Sequence, residues 1–170
     1  SPHHYAKIRA IDTSAAEALP GVEYVLCGQG HTKLFGVLPV TKDEHALAVE
    51  KVRHVGDLVA AVAAVDEATA LEALRLIKVD YEVLEPVHDM RKAIEDSDNP
   101  IHDRGKYHIG ESNVQKRVFQ EFGNIKAMRN SLATSTAKWK FAGVNHGFTE
   151  PHAAVAHWDP SGRLTLYTPQ

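Results

Sequence analysis

The stretch LVAAVAAVDEATALEALRLIKVDYEV, residues 58–83, carries three structural signals in succession. Residues 58–65 form a continuous apolar run, the pattern of a strand buried on both faces. Asp66 then supplies an N-cap, because its carboxylate can accept from backbone N–H groups that a helix start leaves without partners. The following residues place Ala70, Leu71, Leu74 and Ile77 on one apolar stripe at helical spacing. Residues 78–83 alternate in polarity and predict a returning strand. The stretch is one strand–helix–strand unit.

A shorter unit of the same kind precedes it. Residues 5–11 (YAKIRAI) alternate, Asp12, Thr13 and Ser14 offer caps, and residues 15–19 form a short helix that Pro20-Gly21 stops. Residues 22–26 form the next strand. Two such units predict an α/β (α+β) domain with helices packed on a sheet. Between them the chain is loop-rich, with short strand pieces around residues 46–49. Residues 87–94 predict a short helix entered through Pro86. Residues 95–112 concentrate Asp, Asn, Pro, Gly and Ser, which marks a boundary. The expected organisation is a domain over 1–95, a linker over 96–143 and a β segment over 144–170. Within the later part, residues 114–122 suit a strand or short helix. Residues 136–141 and 144–148 suit strands, and AVAHWD with RLTLYT suits a hairpin turning through PSG.

Composition narrows the functional classes. Net charge is -3 and the 19 Lys and Arg are scattered without a basic stripe, which argues against a nucleic-acid partner. No apolar run approaches the roughly 20 residues that span a bilayer. The opening residues lack the basic and apolar regions of a signal peptide, and a cytoplasmic setting is expected. Cys27 is the one cysteine. It excludes an intramolecular disulfide or an iron–sulfur cluster held by these residues alone. In VEYVLCG it reads as a small buried hydrophobe rather than a nucleophile.

No local constellation identifies a catalytic centre. Gly28-Gln29-Gly30 follows a strand, but Lys33 stands where a dinucleotide fingerprint needs its third glycine. There is no P-loop and no Gly-x-Ser-x-Gly elbow. The carboxylate pairs, such as Asp43-Glu44, Asp66-Glu67 and Glu95-Asp96, fall at caps or turns. Of 11 histidines the tightest group is His146, Glu150 and His152, with His157 beyond it. In an extended segment Glu150 and His152 share a face while His157 points the other way. Surface histidines are the plainer reading, and a small histidine-dependent metal hydrolase the sharper one.

Three stretches together carry a resemblance. SPHHYAKIRAIDTSAAEALPGVEYVLCG (1–28) resembles the opening of the a/b hammerhead domain of the xanthine dehydrogenase / aldehyde oxidase family, in its molybdopterin-binding large subunit. VRHVGDLVAAVAAVDEATALEALRLIKVDYEVLEPV (52–87) is similar in Val55-Gly56-Asp57 and in Val79-Asp80-Tyr81-Glu82. EPHAAVAHWDPSGRLTLYTPQ (150–170) resembles the first strands of that family's molybdenum-cofactor domain. GESNVQKRVFQEFGN (110–124) is similar to the linker of the 4-hydroxybenzoyl-CoA reductase branch.

The resemblance implies a hammerhead domain followed by an incomplete β segment of the cofactor domain. It implies a component of an oxidoreductase acting on an aromatic, heterocyclic, aldehyde or acyl-CoA substrate, with molybdenum-molybdopterin as cofactor. It places [2Fe–2S] and FAD on partner subunits or domains, not on this chain. The remaining molybdopterin-binding domain, an iron–sulfur subunit and an FAD subunit are the implied partners, and the chain alone would be inactive. In the family the glycine-rich cofactor loops and the base glutamate lie further on. Gln170 matches a position that lies beside the cofactor as a hydrogen-bond donor, although Pro169 before it departs from the pattern. Glu150 suits structural pairing. A different class of function fits the same fold: a non-catalytic assembly module that keeps the hammerhead as a docking surface.

Overall fold

In a computed structural model that describes residues 1–30, 33–36, 42, 44–95, 100–102, 113–114, 118–124, 127, 133 and 135–169, both strand–helix–strand units form. The first is β1 (Ala6–Asp12), α1 (Ser14–Glu17) and β2 (Val22–Cys27). Three two-residue strands follow, β3 (Leu34–Phe35), β4 (Glu44–His45) and β5 (Lys51–Val52). The second unit is β6 (Ala60–Ala64), α2 (Glu67–Leu76) and β7 (Lys78–Val83). Helix α3 (Met90–Glu95) comes next, and β8 (Val155–Trp158) and β9 (Leu164–Tyr167) close the sequence. No helix among the described residues is long and apolar enough to cross a membrane.

The two units exchange strands. β1 pairs with β7 from Ala6↔Val83 to Asp12↔Lys78, and β2 pairs with β6 from Val22↔Ala64 to Cys27↔Ala60. Both pairings are antiparallel, and β5 joins the free edge of β1 to give the order β5-β1-β7. A parallel crossover needs a connection of a dozen residues or more. The four-residue α1 is too short for that, so the first unit delivers its strands to different sheets, and the second does the same across α2.

Local chemistry sets the helix ends. The Asp66 side chain accepts from the Thr69 N–H at 2.8 Å, and α2 ends where Ile77 turns extended. Asp12 does the same before α1, accepting from the Ser14 N–H at 3.0 Å and the Ser14 hydroxyl at 2.6 Å. Gly21 turns the chain from α1 into β2 at φ +90°, where a β-carbon would meet the Val65 side chain at 2.9 Å. Helix α3 starts later than residue 87, because the Asp89 side chain caps it by accepting from the Arg91 N–H at 2.8 Å.

The Asp66 cap has a titration signature. Its hydrogen bonds from Thr69 hold the carboxyl below the ordinary value of 3.8. A depressed folded-state pKa contributes stability that is present above the unfolded value and lost as pH falls through the folded one. Asp66→Asn keeps an oxygen acceptor but removes the titration. The wild type should melt higher than this variant at neutral pH, and the gap should close below about pH 4. A gap of constant size down to pH 2 would remove the carboxylate from the account.

Packing departs from the periodic stripe. The fully buried helix positions are Ala16 and Ala73, while Leu71 and Leu74 remain 48% and 44% exposed. Helices α1 and α2 pack together and lie on β2 and β6. Their two alanines permit close approach, which turns the larger leucines outward. The expected two-sided burial of residues 58–65 also fails. β6 alternates between half-buried and exposed, because α2 covers one side of a two-stranded sheet. The core lies instead around Ala6, Ala48, Val52 and Val59, with Ile8, Ile11, Val79 and Tyr81 packed against it.

The chain divides into two compact units, Ser1–Gln120 and Glu121–Gln170. The first extends past α3 because the backbone at 100–101 is tied to it. Tyr5 donates its hydroxyl to the Pro100 carbonyl at 3.2 Å, and Arg53 donates Nε to the Ile101 carbonyl at 3.0 Å. Of residues 114–122, those at 115–117 lie outside the described set and 118–122 are irregular. In the second unit, 136–141 and 144–148 are not strands. Trp139, Phe141, Val144 and Phe148 are all more than 70% exposed, and no described strand runs beside them to complete a ladder. The hairpin forms as expected, in the register Val155↔Tyr167 to Trp158↔Leu164.

Candidate functional site

The turn of the hairpin is built on Asp159. One carboxylate oxygen accepts from the Ser161 N–H at 2.9 Å, the Ser161 hydroxyl at 2.6 Å and the Arg163 N–H at 3.0 Å. These bonds, the Ser161 hydroxyl first, hold its pKa below the ordinary range. Gly162 takes φ +84° and donates to the Asp159 carbonyl at 3.0 Å. The turn therefore fixes the register by local chemistry, and the register sorts the side chains.

Opposite residues share a face. One face carries Trp158 with Leu164 and Ala156 with Leu166, entirely apolar. The other carries Val155 with Tyr167 and His157 with Thr165. Every residue of both strands is exposed. Residues 153–155 and 166–169 line an open, mainly apolar depression at the far end of the hairpin. Gln170, the residue expected beside a cofactor, lies outside the described residues. An isolated two-stranded hairpin is marginal in water, and an uncovered apolar face marks a contact surface.

The histidine group does not assemble. His146 stacks on Phe148, with ring centroids 5.6 Å apart and 3° between planes, while His157 sits on β8 opposite Thr165. Glu150 and His152 are exposed. Among the described residues no three His, Cys, Asp or Glu side chains gather as a metal-binding group, so the metal-hydrolase arrangement is not formed.

Cys27 lies half-buried on β2 opposite Ala60. Desolvation pushes its thiol up, and the Glu17 carboxylate adds to the effect. Both favour the neutral thiol over the nucleophilic thiolate. Gly28 is not part of an anion cradle either. A β-carbon there would stand 2.7 Å from the Leu47 carbonyl oxygen and closer still to that of Ala48. The neighbours are acceptors, which repel phosphate, and the glycine serves close packing.

A pterin cofactor with anionic groups needs converging donors and close backbone approach. The described residues supply neither. Gly30, Gly56, Gly123, Gly143 and Gly162 face open space. The described part of the chain therefore does not by itself fit molybdopterin.

Two contacts escaped sequence reasoning, since their partners are distant in the chain. Around Val55-Gly56-Asp57, the Gly56 N–H donates to the Ser1 carbonyl at 2.8 Å, and the Ser1 ammonium group donates to the Asp57 carbonyl at 2.9 Å. The second comprises ring pairs, His3 with Tyr81 at 5.0 Å and His4 with His88 at 4.9 Å.

Comparison with known proteins adds relatives to this geometry. The family model described as aldehyde oxidase and xanthine dehydrogenase, a/b hammerhead domain, matches residues 1–85, half of the 170-residue chain. The nicotinate dehydrogenase large molybdopterin subunit of Eubacterium barkeri is 34% identical over 169 residues, covering 97% of this chain and 37% of that subunit. Among solved structures, a Cu,Mo-CO dehydrogenase in its carbon monoxide reduced state aligns with a TM-score of 0.80 at 30% identity, covering 99% of this chain and 23% of that one. Quinoline 2-oxidoreductase from Pseudomonas putida 86 aligns at 0.75 and 29% identity, covering 99% and 22%. The chain thus spans about a third of the curated relative and less than a quarter of the solved chains.

Proposed function

The chain belongs to the aldehyde oxidase and xanthine dehydrogenase family through its a/b hammerhead domain, and from that premise we propose that it is one component of a molybdenum hydroxylase-type oxidoreductase. Its part is structural. The hammerhead over residues 1–95 and a linker over 96–143 lead to the first strands of the cofactor domain over 144–170. Molybdenum-molybdopterin is the cofactor of the assembly. It is held chiefly by polypeptide outside the described residues, with Gln170 as the one donor expected from this chain. An iron–sulfur component and an FAD component carry electrons away from the molybdenum, and the setting is cytoplasmic. The substrate class remains that of the family: an aromatic, heterocyclic, aldehyde or acyl-CoA compound.

One observation carries this reading. The solved neighbours align over 99% of the chain, across both of its compact units, although the second has almost no core of its own. Residues that fold as an exposed hairpin here have counterparts in much longer oxidoreductase chains.

The test is elemental and pterin analysis of the assembly purified through this chain from its native host. Molybdenum, pterin, flavin and iron should co-purify, and removing residues 144–170 should abolish the molybdenum. Absence of molybdenum from the intact assembly would overturn the proposal. Retention of every partner after the deletion would favour the assembly module, in which the hammerhead alone docks.

A further inference from the structure

β6 is hydrogen-bonded on one side only: its sheet is β2-β6, and among the described residues no strand pairs with its other edge. Along an antiparallel strand, alternate residues turn both N–H and C=O to the same neighbour. The Val65 N–H donates to the Gly21 carbonyl at 2.9 Å, on the β2 side. Ala61 and Ala63 therefore serve the ladder with β2, and the backbone groups of Ala60, Val62 and Ala64 point outward. Leu58 shares their direction, and its carbonyl accepts from the Ala48 N–H at 2.6 Å. That bond closes the near end of the edge, and residues 60–64 lie beyond it.

Open edges are normally guarded by a charge, a proline or an irregularity, because unpaired backbone groups invite another strand. β2 carries Glu23 and a register shift between Val22 and Tyr24, and β7 carries Lys78, Asp80 and Glu82. β6 (AAVAA) carries no such guard. Instead the sequence from Val59 to Val65, VAAVAAV, reads the same in both directions about Val62. A two-fold interface sets residue i against j and j against i, so such a strand matches itself at every position.

We propose that β6 is a contact between two copies of this chain, pairing antiparallel with its own counterpart about Val62. Val62 then stands opposite Val62 of the second copy, Ala60 opposite Ala64, and Ala61 opposite Ala63. Every outward donor meets an outward acceptor, because Ala60, Val62 and Ala64 face one another across the axis. The two-stranded sheet becomes four-stranded, the size at which a sheet gains independent stability. Its outer face gains an apolar row of Leu26 and Ala61 from one copy with Ala63 and Tyr24 from the second. The contact is independent of the molybdenum reading, because β6 lies on the other compact unit from the hairpin.

The test is sedimentation equilibrium of the full chain over a concentration series, paired with amide hydrogen exchange. The wild type should pass from the mass of one chain to that of two as concentration rises. Ala61→Lys with Ala63→Lys alters two exposed positions and sets like charges directly opposite each other across the axis. This variant should stay monomeric where the wild type is fully dimeric. Ala61→Lys with Ala63→Glu sets opposite charges in the same places and should restore the dimer, which excludes a folding defect. In exchange, the amides of Ala60, Val62 and Ala64 should be protected in the dimer and lose protection on dilution, while those of Ala61 and Ala63 stay protected in both. A wild type that is monomeric at every concentration, a dimer that survives the like-charged pair, or no rescue by the opposite pair would overturn the contact.

Discussion

Replacing Gly28 with alanine should lower the stability of the hammerhead unit by about 3 kcal/mol, near the upper end for overpacking a filled site. The added carbon would stand 2.7 Å from the Leu47 carbonyl oxygen, nearer still to that of Ala48, and 2.9 Å from the Ala48 carbonyl carbon. All three are backbone atoms, so no side-chain rotation relieves the overlap. Nor can residues 47–48 retreat freely. The Ala48 N–H donates to the Leu58 carbonyl at 2.6 Å, and its side chain belongs to the core with Ala6, Val52 and Val59. Displacement would therefore spread into the core. Denaturant unfolding should show a lower midpoint with an unchanged slope. Gly30→Ala is the comparison, with φ +92° and nothing nearby. It should cost about 1 kcal/mol from the left-handed backbone alone. Equal losses at the two glycines would defeat the packing argument.

If the proposed assembly forms, a larger effect is expected at the apolar face of the hairpin. Trp158 and Leu166 lie on the wholly apolar hairpin face and are 68% and 57% exposed. Covering each should contribute roughly 2 kcal/mol. The pair Trp158→Ser and Leu166→Ser should therefore weaken docking by about a thousandfold. The readout is molybdenum retained per mole of this chain after purification of the assembly. It should fall to background in the double variant. Met90→Ser, which removes a 74% exposed apolar residue from the other unit, should leave it unchanged. The hairpin itself should survive, because its turn depends on Asp159, Ser161 and Gly162 rather than on the face. Full molybdenum retention in the double variant would mean that this face is not the contact.

The elements legible in the sequence are those whose signals lie within a few residues of one another. Asp66 beside Thr69 starts α2, Pro20-Gly21 follows the short first helix and leads into β2, and Asp159 with Gly162 turns the hairpin. The α+β class and the resemblance to the hammerhead follow from such local grammar repeated in order. The strands expected at 136–141 and 144–148 fail for the complementary reason. Alternation prepares a strand, but a ladder needs a neighbour, and Trp139 and Phe141 have none among the described elements. As for the candidate site, Gln170 rests on resemblance alone, while the apolar hairpin face follows from a register that a quoted turn already implies.

By itself, then, the sequence determined the caps and turns that bound the two strand–helix–strand units and the hairpin, and which family pattern they match. Tertiary structure alone decided which strands pair, β1 with β7 and β2 with β6, and hence that His4 stands beside His88. It decided that Ala16 and Ala73, not the leucines, form the buried helix contact, and that Gly28 answers to the carbonyls of residues 47–48. The physical reason is that caps and turns are satisfied by neighbouring backbone groups. Strand partners and close contacts are selected by residues tens of positions away, through the packing of the whole unit.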